Sequence, residues 1–173
     1  MIIIFIGPPL VGKGTQAKIL SEKLDLPLFS IGAILRSSKQ KAYEKYAMKG
    51  KNLPTELKFN LLEEKMNENK NGFILENFPA TKDDLDTLIK YLSQNNLKVD
   101  KVFNLTISYT EMSKRMKTRE RADDTEEIVS KRQEIQSKDR EPVIDYFKNL
   151  EILVNINGEG SVENVANEIF KNL

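Results

Sequence analysis

Gly7-Pro8-Pro9-Leu10-Val11-Gly12-Lys13-Gly14-Thr15-Gln16 decides the fold of this chain. An apolar run, Ile2-Ile3-Ile4-Phe5-Ile6, precedes it, and a helical pattern from Ala17 to Leu24 follows. A strand, a glycine loop carrying a lysine, then a helix is the setting in which such a loop cradles phosphate. Successive backbone N–H groups converge, and the helix N-terminus adds positive potential. Lys13 then reaches the β- and γ-phosphates of a nucleotide, and the Thr15 hydroxyl suits Mg²⁺. Gly7, Pro8, Pro9, Gly12, Gly14 and Gln16 complete the expected nucleotide-phosphate loop. Leu10 stands where glycine would let the loop curl with positive φ. A side chain there costs about 1–2 kcal/mol if that conformation is required.

Strand patterns recur at residues 2–6, 27–29, 73–76, 102–107 and 152–156, with helical patterns between them. The alternation predicts an α/β fold: a three-layer sandwich of the P-loop NTPase type, its five-stranded parallel sheet flanked by helices. Pro54 suits the first turn of a helix running to about Lys70. Thr81 with Asp84 three residues later reads as a capping box, and Ser161 as the cap of the last helix. No repeat or linker divides the chain, so residues 1–173 read as one domain. Residues 30–72 are mostly helical and interrupt the strand rhythm as a small subdomain.

A chain of 173 residues supports one sizeable core. With 39% hydrophobic and 31% charged residues it reads as a well-solvated globular protein, not a disordered or membrane one. A net charge of +1 gives no field for nucleic acid or an anionic membrane, and neither is expected as a partner. The apolar N-terminus is short for a signal sequence and lacks a basic leader, so a cytoplasmic location is expected. Cysteine and histidine are absent. That excludes disulfides, zinc–thiolate sites, thiol nucleophiles and imidazole bases. Carboxylates, lysine, arginine, hydroxyls and a metal ion remain. Phosphoryl transfer fits this inventory, because it needs positioning and charge neutralisation more than a base.

Arginine is scarce beside lysine, yet Arg115, Arg119, Arg121 and Arg132 fall in one short window, where even scatter would place fewer than one. A guanidinium grips phosphate with a rigid fork that lysine cannot copy. Pairing with Glu120, Glu126 and Glu127 on a helix surface is the plainer reading. In a chain with a phosphate loop, a clamp on transferring phosphates is the stronger one.

At this point the sequence resembles adenylate kinase and its nucleoside monophosphate kinase relatives over nearly its whole length. Besides the loop, Phe29-Ser30-Ile31-Gly32-Ala33-Ile34-Leu35-Arg36 resembles the family's Ser-Thr-Gly-Asp segment and the Leu-Arg that follows. Gly50-Lys51-Asn52-Leu53-Pro54-Thr55-Glu56-Leu57 is similar to its entry to the next long helix. Gly72-Phe73-Ile74-Leu75-Glu76-Asn77-Phe78-Pro79-Ala80 resembles Gly-Phe-Ile-Leu-Asp-Gly-Phe-Pro-Arg, and Arg121-Ala122-Asp123-Asp124 with Arg132 resembles the motifs near its lid.

The resemblance implies ATP-dependent phosphorylation of a nucleoside monophosphate, most simply AMP, with Mg²⁺ accompanying ATP. It implies that the loop from Gly7 to Gln16 binds ATP, that Lys13 holds donor phosphates, that Arg115 stacks on the donor base and that Arg119 binds donor phosphate. Arg121 and Arg132 would clamp the group in transit, ordered by Asp123 and Asp124. Thr15, and Glu76 through water, would serve Mg²⁺. The acceptor would meet Ile31, Arg36, Leu53, Leu57, Ala80 and Asp84. The subdomain at 30–72 would bind it, and residues near 119–122 would form a minimal lid.

Several acceptor positions depart from the family pattern. Ala80 replaces an arginine, Asp84 a glutamine that reads adenine, and Ile31 and Ala33 a threonine and an aspartate. Asp84 as a carboxylate would accept from a guanine edge or a cytosine amino group, or would merely cap a helix with Thr81. A catalytically weak nucleotide-binding module is the competing reading. A monomer is expected.

Overall fold

The computed structural model describes residues 1–37, 44–46, 49, 51–118 and 126–173, the side chain of Arg132 excepted. Their order is β1 (Ile2–Ile6), α1 (Lys13–Leu24), β2 (Leu28–Ser30), α2 (Ile31–Ser37), α3 (Thr55–Glu68), β3 (Phe73–Glu76) and α4 (Lys82–Gln94). Then follow β4 (Lys101–Thr106), α5 (Tyr109–Thr118), α6 (Glu126–Asn149), β5 (Leu153–Asn157) and α7 (Val162–Lys171). The strands form one parallel sheet in the order β2-β3-β1-β4-β5.

The central strand explains its own composition. All five residues of β1 are buried. Side chains alternate across a strand, so a strand covered on both faces is apolar throughout. Ile2, Ile4 and Ile6 join Phe73, Leu75 and Val102 in a layer closed by Leu62 and Met66 of α3, Leu85 and Leu88 of α4 and Val143 and Phe147 of α6. Ile3 and Phe5 face the other way, with Ile74, Phe103 and Leu105, against Ala17 and Leu20 of α1 and Val165 and Ile169 of α7. The three layers expected from the strand rhythm are these.

Local signals behave as their chemistry requires. Thr81 Oγ1 accepts from the Asp84 N–H at 3.2 Å, and Ser161 Oγ from the Asn164 N–H at 3.2 Å. Thr81 is thus a cap but not half of a reciprocal box, because the Asp84 carboxylate takes the Ala80 N–H instead. Pro54 stands one residue before α3, as its N-cap, not within its first turn. There its missing N–H leaves no helical bond unmade. The helix stops at Glu68, two residues short of the expected Lys70. Among the described residues, no helix is long and apolar enough to cross a membrane.

Candidate active site

The loop after β1 and the N-terminus of α1 form one wall of a cavity of about 1040 Å³ at the carboxyl ends of the strands. Ligands of open parallel sheets bind outside that edge. Pro9 to Gln16 line it, and Thr15 is exposed at the start of α1. Gly7 and Pro8 lie beneath and turn their carbonyls to Lys13, whose ammonium donates to Gly7 O at 2.9 Å and Pro8 O at 2.7 Å. Gly7 has φ 143, and a Cβ there would run into the Leu105 carbonyl. The loop can therefore lie against β4 only as glycine.

Leu10 adopts the left-handed conformation expected of its position, with φ 62. What holds it there is packing. Its side chain is buried with Met112 of α5 and Val129 of α6, flanked by Ile107 and Met116. Leu10→Gly relieves about 1–2 kcal/mol of backbone strain. It also empties a core leucine site, which costs about 2–5 kcal/mol. The packing loss wins, and we expect a net destabilisation of about 1–3 kcal/mol in urea unfolding. A variant more stable than the parent would show that the strain dominates.

Arg115 bridges the loop to the far side of the sheet. Its guanidinium donates to Val11 O at 3.2 Å and Gly158 O at 2.8 Å, and its Nε to Glu111 at 3.0 Å. It lines the cavity, but in this structure it buttresses the loop, and these contacts differ from a stacking role on the donor base.

Ile31, Arg36, Leu53 and Ala80 line the same cavity, together with Ser30, Asn52, Lys58 and Gln136. Leu57 does not; it is 41% exposed to solvent on the outer side of α3. Asp84 is not at the surface either. It is 0% exposed, and its oxygens accept from Thr55 Oγ1 at 2.6 Å, from the Ala80 N–H at 3.0 Å and from the Lys58 ammonium. The expectation that its carboxylate faces an acceptor base is corrected: the group is sealed under the wall, and Lys58 takes the wall position. The sequence carried a signal for this. Lys58 heads the buried stripe of α3, four residues before Leu62 and eight before Met66.

Asn52 ties the entry of α3 to α6. It donates to Asp139 at 2.6 Å, and Gln136 donates to its carbonyl at 3.5 Å. Next to Asp139, burial draws the Arg140 guanidinium down to about 10, partly opposed by the Asp139 charge, so it stays a cation at neutral pH.

The oxygen donors fit Mg²⁺ accompanied by phosphate. Thr15 and Glu76 line one cavity, and Ser30 Oγ donates to Glu76 Oε2 at 2.5 Å, fixing that carboxylate. Among the described residues no three His, Cys, Asp or Glu side chains converge. A cation here would draw most of its ligands from phosphate and water, as Mg²⁺ does.

The comparisons with known proteins agree with this geometry. Residues 5–152 match the family model for adenylate kinase. The adenylate kinase of Corynebacterium urealyticum is 35% identical over 174 aligned residues, covering 96% of this chain and 95% of that protein. Adenylate kinase 1 of Nostoc is 36% identical over 175, covering 96% and 95%. The adenylate kinase of Thermodesulfovibrio yellowstonii is 30% identical over 208, covering 98% and 97%.

This chain belongs to the adenylate kinase family.

Set against the family motifs quoted above, the phosphate loop of this member departs at Leu10, and further departures fall at Ile31, Ala33, Ala80 and Asp84. Arg119, Arg121, Asp123 and Asp124, with the lid expected near 119–122, lie outside the described residues. Arg132 sits on α6, its side chain likewise outside the description.

Proposed function

We propose that this chain transfers the γ-phosphoryl group of Mg·ATP to AMP, reversibly, yielding ADP from both nucleotides. One observation carries the reading. The phosphate loop and Ile31, Arg36, Leu53 and Ala80 open on a single cavity, which supports a reading in which a donor phosphate and an acceptor are held in one space. Holding two reactants face to face is the main demand of phosphoryl transfer.

The chain's own residues divide the work. The loop N–H groups and the α1 terminus hold the donor phosphates, and Lys13 leaves the Gly7 and Pro8 carbonyls for more highly charged phosphate oxygens. Arg36 holds the acceptor phosphate. Arg121 and Arg132, with Arg119, neutralise charge on the group in transit, ordered by Asp123 and Asp124. Thr15, and Glu76 through water, would hold Mg²⁺, which would supply charge neutralisation for the phosphates. The segment at 30–72 serves as the acceptor-binding subdomain of one domain, and residues near 119–122 as a minimal lid. We place the protein in the cytoplasm as a monomer, with nucleotides as its partners and neither nucleic acid nor membrane. The buried Asp84 carboxylate removes the basis for a guanine or cytosine preference.

A coupled assay with ATP·Mg²⁺ against AMP, GMP, CMP and UMP tests this. AMP is expected to be the best acceptor by at least about tenfold in kcat/KM, about 1.4 kcal/mol of transition-state discrimination. Preference for another nucleotide, or transfer to none, overturns the reading.

A further inference from the structure

The buried ion pair at the acceptor wall of the cavity has no part in the roles assigned above. Asp84 accepts hydrogen bonds from Thr55, the Ala80 N–H and Lys58. These come from the start of α3 and from the turn between β3 and α4, so one carboxylate fastens the helix to the turn. Lys58 is placed differently: it lines the cavity beside Ile31, Leu53 and Ala80, although its side chain is only 5% exposed. An ammonium carries three donors and no acceptor, and Asp84 takes one of them. A buried ion pair often stabilises a fold no better than apolar residues of equal volume. Its place in a cavity wall therefore points to a ligand.

We propose that Lys58, held by Asp84, reads the acceptor base by donating a hydrogen bond to a ring nitrogen of the purine. The inference rests on the reading of this wall of the cavity as the acceptor site. Lys58 is the donor, and Asp84 is a positioning residue that never meets the nucleotide. Charge favours the base over the phosphate as the partner. Asp84 cancels the charge of Lys58, leaving a neutral pair with a donor edge, which suits an uncharged partner. Lys13 and Arg36 line the same cavity and supply the cations that phosphate takes. The apolar neighbours Ile31 and Leu53 suit the faces of a purine. A donor-only head group also explains how a wall without an amide side chain at position 84 accepts adenine. Adenine offers ring nitrogens as acceptors, and Lys58 makes no demand on its amino group.

The test uses AMP and its 1-deaza, 3-deaza and 7-deaza analogues, each lacking one ring nitrogen. Dissociation constants are measured by calorimetry and kcat/KM by the coupled assay. The wild-type chain is expected to bind one analogue about 10- to 100-fold more weakly than AMP, the loss of one charge-assisted hydrogen bond. Lys58→Met combined with Asp84→Asn removes the pair at nearly constant volume and avoids a stranded charge. That variant is expected to bind AMP and the critical analogue equally. Wild-type indifference to all three analogues overturns the proposal without any variant needing to fold. So does a double variant that keeps the wild-type analogue profile. An equal loss for AMP, every analogue and ribose 5-phosphate would assign Lys58 to the phosphate and also overturn it. Binding is read apart from turnover, so a chain that binds AMP selectively but transfers nothing overturns the proposed reaction and leaves the base contact standing.

Discussion

Lys13→Met is expected to lower single-turnover transfer from ATP by about 10³-fold or more while the fold persists. Single electrostatic groups that meet charge in a transition state are worth about 10²–10³ in rate, and cationic fingers in phosphoryl transfer about 10³–10⁵. Lys13 is the one lysine within the loop, and its ammonium lies among the loop carbonyls at 2.7–2.9 Å. Those carbonyls are a weaker partner than phosphate, so the ammonium has a gain to make when nucleotide binds. Methionine keeps the buried stem filled, which alanine would not, because Lys13 is nearly buried. Losing two hydrogen bonds to carbonyls costs about 1–3 kcal/mol of stability, a fall of several degrees in Tm for a domain of this size. Activity therefore falls far more than stability. Transfer within a few-fold of the parent, at an unchanged donor concentration, would remove the loop from the donor site.

What the sequence made legible follows the range of each interaction. β1, buried on both faces, shows as an unbroken apolar run, and all five strands were found, with edges shifted by about one residue at β2, β4 and β5. Caps depend on residues three apart, and Thr81 and Ser161 were found. The loop is a local motif, and even the positive φ of Leu10 follows from its place in it. The acceptor wall was less legible because it is assembled from distant segments. Asp84 and Lys58 are 26 residues apart, and no local pattern says that an aspartate in the first turn of one helix will be sealed by a lysine from another. Arg115 meets the Val11 carbonyl 104 residues away. Its buttressing role follows from how α5 packs beside the loop, not from its place among the clustered arginines.

The largest stability effect is expected at the ion pair. Asp84→Ala removes the acceptor for Lys58, Thr55 and the Ala80 N–H and leaves an ammonium almost wholly out of water. Breaking a buried pair by deleting one partner costs about 3–5 kcal/mol. For a chain of this length that is a fall of roughly 10 °C in Tm. Lys58→Met should cost about as much, because it strands the carboxylate, although Thr55 and Ala80 still donate to it. The two effects should not add. Lys58→Met with Asp84→Asn leaves no charge behind, and replacing a whole buried pair is often close to neutral. The double variant is therefore expected to recover at least half of either single loss. Urea unfolding of the four proteins measures the coupling directly. Additive losses would mean that the two groups act independently, Asp84 as a hydrogen-bond acceptor for Thr55 and the Ala80 N–H, Lys58 as packing. The outcome bears on recognition as well as on stability. A strongly coupled pair fixes the ammonium in the wall at one place, and only a fixed donor can distinguish one ring nitrogen of a purine from another.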